Sequence, residues 1–226
     1  HDTVGATTAA PNAEQLILNA GTNGDILFEQ HVGSGTSLAT LEITGAHNFT
    51  AERGITAGSL IQRAGTGDSA LTGTIFTSGA AGIALATSGK ITLTGVVTTA
   101  AGGAVVLQNG QLLTVDADIA ADGAVRQTGA GGVEIVAGRH VNTTGDIVSF
   151  QSPVELAGGG AGLVRVNTTT GASPAGADIL FLGTIDARAA GLLAQRLELN
   201  AGTAGDVEFR GAVGAATPLG SVTIVS

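Results

Sequence analysis

Residues 91–121 read ITLTGVVTTAAGGAVVLQNGQLLTVDADIAA. Apolar side chains fall at Ile91, Leu93 and Val97, then at Val105 and Leu107, then at Leu113, Val115 and Ile119. The first two of each cluster sit two apart, the period of a pleated strand with one buried face. The third cluster repeats the first at a step of 22 residues. Between them, Gly102-Gly103 supplies the backbone freedom that a tight corner needs.

The same pattern (apolar, any, apolar, three residues, apolar) recurs along the chain. Its middle residues are 28, 51, 71, 93, 115, 137, 181 and 209, in steps of 23, 20, 22, 22, 22, 44 and 28. The step of 44 reads as two periods, with a degenerate copy at Val154–Leu156, and the step of 28 as an insertion. A second strand follows each first one: Leu41 and Ile43 after Val32, Ile83 and Leu85 after Ile75, Val105 and Leu107 after Val97. Leu192–Leu199 is the best helical candidate, but Leu197 and Leu199 belong to a longer repeat and are assigned to a strand. In that repeat, residues 16–44 match residues 197–225 at 14 of 29 positions, at a constant offset of 181.

A rung of about 22 residues cannot bury its apolar face alone, but stacked rungs can. The expected fold is all-β: a right-handed parallel β-helix, or β-solenoid, of about ten rungs. Right-handedness is the strong default for parallel crossovers. Residues 1–14 read as a loose lead-in or degenerate rung, and 15–226 as one continuous solenoid. All six Phe are expected inside, with Phe28, Phe181 and Phe209 in one register. No amphipathic capping helix shows at either end. The terminal strands at Leu16, Leu18, Val222 and Ile224 are therefore expected to stack on further copies or to continue into neighbouring modules.

Composition narrows the function. Gly supplies 37 residues, yet apolar residues reach 43% and include many Val, Ile and Thr, which argues against disorder. Four Pro and no three-residue glycine period exclude collagen. The net charge is −9, with Lys90 the sole lysine, so no basic stripe is present for nucleic acid or anionic membranes. No apolar run reaches membrane-helix length. A membrane β-barrel would want aromatic girdles, and the chain has no Trp or Tyr. With no Cys, disulfides and thiolate metal sites are excluded. With no Met, translation did not begin at His1, and the chain is expected to be cut from a precursor or to be a defined fragment.

Candidate chemistry is sparse. Asp116 and Asp118, expected two apart on the outward face of one strand with Asp122 close by, are the one carboxylate pair that could flank a glycosidic bond. No GxSxG elbow exists, and His1, His31, His47 and His140 lack metal-site spacing. Gly24-Asp25 and Gly205-Asp206 look like calcium-roll turns, but the nine-residue roll repeat is missing, so these Asp are expected to accept turn amides. Thr92, Thr94, Thr98, Thr99, Thr143 and Thr144 read as strand-favouring surface rather than an ice-binding array. The sequons at Asn48, Asn142 and Asn167 are of the kind that Thr-rich chains produce by chance. No catalytic residue, cofactor or metal is assigned.

The GDI-type strand starts at Asp25-Ile26 and Asp146-Ile147, the related Asp178-Ile179, and the two LxLNAG copies resemble the repetitive shafts of bacterial filamentous-haemagglutinin-type adhesins. The resemblance implies a right-handed parallel β-helix, export from the cell and a shaft or adhesive role. The expected function is a structural module of an extracellular filament or cell-surface adhesin shaft. It is not expected to be an enzyme, and its partner is itself or its neighbouring modules. The alternative is a carbohydrate-active or glycan-binding β-helix protein, with surface glycans as partners. The repeat favours the shaft, because it is expected to spread identical surfaces along a rod, whereas an active site needs one unique pocket.

Overall fold

Each short apolar–any–apolar run turns its two apolar side chains to one side, and each intervening Gly, Asn or Asp bends the chain. The result, seen in a computed structural model that describes residues 4–8, 14–158 and 162–225, is a β-solenoid of about nine turns with three faces. All strand pairs are parallel. The one helical element among the described residues is a single 3-10 turn at Gly191–Leu193.

The first face is a sheet of eight strands: Ile26–Phe28, Phe49–Ala51, Ser69–Leu71, Ile91–Leu93, Leu113–Val115, Val133–Val136, Val154–Ala157 and Ile185–Ala187. The second carries bridges at Val4 and Val32, the start of Ile55–Gln62, then Ile75–Thr77, Val97–Thr99, Ile119–Ala121, His140–Thr143, Leu163–Asn167, Arg196–Asn200 and Ser221–Val225. The third holds Gln15–Asn19, Leu38–Gly45, the end of Ile55–Gln62, Ile83–Thr87, Val105–Asn109, Val125–Gln127, Val148–Phe150, Ile179–Phe181 and Val207–Phe209. Ile55–Gln62 runs around the corner between faces two and three, so the two hydrogen-bond as one sheet.

Inward residues stack in columns. On the third face one column runs Leu41, Leu60, Ile83, Val105, Val125, Val148 and Ile179, nearly all inaccessible to solvent. Each large aliphatic side chain buried this way is worth about 1.5–3 kcal/mol. Higher on that face, Phe150, Phe181 and Phe209 stack ring on ring, with centroids 5.4 and 5.7 Å apart.

The structure corrects several expectations. Each turn has three strands, not two. The pattern apolar–any–apolar–three–apolar crosses a corner: Ile91 and Leu93 lie on face one, Val97 on face two. Phe76 points outward and is 36% exposed. Phe28 lies on the first face while Phe181 and Phe209 lie on the third, so the three share no register. Thr99 and Thr143 point inward and are buried, which removes them from any outward Thr array. The strand assignment of Leu197 and Leu199 holds, in Arg196–Asn200, while Leu192 and Leu193 fall in the 3-10 turn.

The step of 44 residues is not two periods. Val154–Ala157 is an ordinary first-face strand, stacked directly beneath Ile185–Ala187. From Ala137 onward the motif changes face, and Phe181 is reached on face three, one face short of two turns. The long repeat does the same. Gln15–Asn19 lies on face three, while its counterpart Arg196–Asn200 lies on face two. Ile26–Phe28 lies on face one and its counterpart Val207–Phe209 on face three. The 181-residue offset therefore spans seven full turns and two further faces.

Candidate functional site

The corners bring most of the polar groups together. Between faces three and one, Asp25 Oδ1 accepts the Asn48 N–H (3.0 Å), Asn48 Oδ1 the Asp68 N–H (2.9 Å) and Asp68 Oδ1 the Lys90 N–H (2.9 Å). Each corner carboxylate or amide thus fastens the backbone one turn above. Asp178 does the same for the Asp206 N–H at 2.9 Å. The Gly24-Asp25 turn is a rung tie through its carboxylate, the Gly205-Asp206 turn is held through its N–H, and among the described residues no three His, Asp or Glu converge as a metal site. Asn48, in one of the sequons, also spends its amide N–H on Asp25.

Asp116 and Asp118 do not share a strand. They occupy the corner after Leu113–Val115, where residue 117 points inward. Asp116 accepts two hydrogen bonds from Arg139, from Nε at 3.0 Å and Nη2 at 2.9 Å. Asp118 accepts the His140 N–H at 2.9 Å. Asp122 takes the Gly102 N–H (2.9 Å) and the Thr144 hydroxyl (2.8 Å), tying three turns together. The Gly102 amide, then the Thr144 hydroxyl, hold its carboxyl below the usual carboxylate range. His31 and His47 bond Thr56 and Thr66, each at 3.1 Å, and His1 lies outside the described residues. Every carboxylate of the expected pair is committed to its neighbouring turn.

Open grooves run along the rod. One, of about 530 Å³ at the corner after face three, is edged by Arg63, Ser88, Gln108 and Thr128 over a floor of Ala and Gly. Another, of about 290 Å³ on face one, holds Glu134, Glu155 and Arg188. Arg188 bridges both carboxylates, Glu134 at 2.6 Å and Glu155 at 2.5 Å, which relieves the repulsion of two like charges stacked on adjacent strands.

The terminal rungs carry the expected assembly residues in the inward columns. Leu16 and Leu18 lie beneath Leu41 and Ile43 and are half-buried. Val222 and Ile224 lie above Leu197 and Leu199, with 41% and 57% exposure.

Placing the two repeat copies in the fold separates what they share from what they do not. Shared residues are inward (Leu16, Leu18, Phe28, Val32 and Ile43 with Leu197, Leu199, Phe209, Val213 and Ile224) or lie in corners. Asn19 and Asn200 make the same turn, each accepting a glycine N–H two residues on, at 2.9 and 3.0 Å. Those glycines, Gly21 and Gly202, both take positive φ, 70° and 76°, where a Cβ is disfavoured. Outward strand positions differ: Ile17 against Glu198, Leu27 against Glu208, Glu42 against Thr223. The expectation of identical surfaces is therefore overturned, since what recurs is the scaffold. Sequence reading missed this because alternation marks a strand without saying which face of the rod it joins. Compared with known protein families, with curated proteins and with solved structures, the chain matches none.

Proposed function

We propose that this chain is a structural module of an extracellular filament or cell-surface adhesin shaft, assembling or continuing end to end through its terminal rungs. The observation that carries the reading is the division within the long repeat: the residues that recur are inward or lie in corners, above all the corner Asn19–Asp25, while the outward strand positions change. A repeated binding or catalytic site would keep its outward residues. A repeated support needs only its core and its corners. The carboxylates that could have served catalysis act as rung ties, which fits a part whose task is rigidity. Export and the cell surface follow from the resemblance to adhesin shafts and accord with the absence of Cys.

Ile224→Asp tests the reading. It places a charge in the uppermost inward column, where burial against a further rung would cost several kcal/mol. Sedimentation velocity should show lengthwise association in the wild type and little in the variant, with unchanged circular dichroism in both. Equal association in the two would sink the end-to-end reading.

Glycan binding is a second reading, favoured by the polar-edged groove at Arg63, Ser88, Gln108 and Thr128. It predicts binding on a glycan array that Gln108→Ala weakens about tenfold, the loss of one good hydrogen bond. A silent wild type would remove it.

A further inference from the structure

The two copies of the long repeat share an apolar inward set, the Asn-Ala-Gly-Thr corner turn and, from Gln15 to Leu18 and Arg196 to Leu199, one pairing register. Leu16 pairs with Leu41 and Leu18 with Ile43 in the first copy; Leu197 pairs with Val222 and Leu199 with Ile224 in the second. Both pairings of the first copy recur in the second at the offset of 181. Yet the second copy stands one face round from the first, because the offset contains two faces beyond seven whole turns. We infer that the 181-residue unit is a one-third-turn unit: successive copies in one rod stand one face apart, and three copies restore the original orientation.

The inference rests on the shaft reading and gives it a symmetry. Strand spacing of about 4.8 Å sets the advance per unit at roughly 37 Å along the axis. An eight-turn unit would have kept every copy on the same side. Seven and two-thirds turns distribute whatever recurs around the rod. What recurs at the surface is the corner Asn19–Asp25, repeated at Asn200–Asp206 with only Asn23 changed, to Ala204. Thr22 and Thr203 are both exposed at its tip. In the first copy this corner joins faces three and one; in the second it joins faces two and three. A partner that reads this corner would meet it on each side of the shaft in turn, without any face being preferred.

Lys90 makes the inference testable, being the sole lysine, exposed, and present once per unit. The chain is extended at its C-terminus by a second copy of residues 46–226, which continues the repeat in phase. After N-terminal acetylation, the two lysines are coupled to small gold clusters through an amine-reactive ester, and single rods are imaged by electron microscopy. The expected result is a rod longer by roughly 37 Å whose two labels, that far apart along the axis, project from different faces. Lengthened rods with both labels on one side would overturn the one-third-turn unit and leave the shaft reading standing. Rods that fail to lengthen would overturn both.

Discussion

Gln127 sits in the inward column of face three, between Leu107 and Phe150, and is 2% exposed. Its amide is fully used: Nε2 donates to Asn109 Oδ1 (2.8 Å) and the Gly129 carbonyl (2.7 Å), and Oε1 accepts the Gln151 and Ser152 N–H groups at 3.0 and 3.1 Å. Gln62, in the same column between Ile43 and Leu85, is as buried, but its Nε2 has no partner and its Oε1 takes one bond, from Ser69. An orphaned buried polar group costs about 1–3 kcal/mol. Gln127→Leu should therefore lower the unfolding free energy by roughly 2–4 kcal/mol, while Gln62→Leu should stay within about 1 kcal/mol of wild type. Urea titration of both variants checks the contrast. Protonation acts at this scale too. Thr7 and Thr8 hold the Glu14 carboxyl down at about 2, below its ordinary 4.5, and Asp122 is lowered by Gly102 and Thr144. Folded values below the unfolded ones mean stability that is present above the unfolded value and lost as pH falls through the folded one. The bonds of Thr7 and Thr8 to Glu14 should therefore loosen between about pH 4.5 and 2, seen as faster amide exchange at Thr7 and Thr8. Unchanged exchange there would contradict it.

At the scale of the element, the corners decide whether strands stack. A Cβ on Gly131 would lie 1.5 Å from the Gln111 carbonyl oxygen one turn below, so Gly131→Ala must push two turns apart. At Gly21 the φ is positive, but nothing lies within 4 Å. Gly131→Ala should cost more than about 3 kcal/mol, and Gly21→Ala about 1 kcal/mol, the conformational penalty alone. Thermal melts that rank the two the other way would refute the stacking account. Strands were legible in the sequence for the same physical reason: Ile91-Thr92-Leu93 can bury only one side, so alternation exposes it. Faces were not legible. A corner can turn in two residues or in many, as between Ile55–Ala57 and Leu60–Gln62 against the long excursion from residue 168 to 178, so spacing alone counts turns imperfectly. The carboxylate pair at Asp116 and Asp118 was visible as chemistry, but its partners Arg139 and His140 come from the next turn, 22 to 23 residues away, and only stacking reveals them. Phe76 was misplaced because Ile75 and Thr77 take the inward positions on its strand, reversing the side expected for the aromatic ring.

For the whole molecule, stability comes from the contact of each turn with the next, and the proposed association would use the same kind of contact. An interior turn buries both of its sides. Val222 and Ile224 keep much of their surface, and Leu16 and Leu18 a smaller part, so these inward positions present apolar groups that a further turn would cover. The proposed shaft role would be served by lengthwise stacking of the whole chain, about 43 Å for nine turns at roughly 4.8 Å each. Electron microscopy of the purified chain over a range of concentrations tests this most directly. The account predicts thin rods whose lengths fall in steps of about 43 Å and grow with concentration. Single particles of one length at every concentration would contradict it.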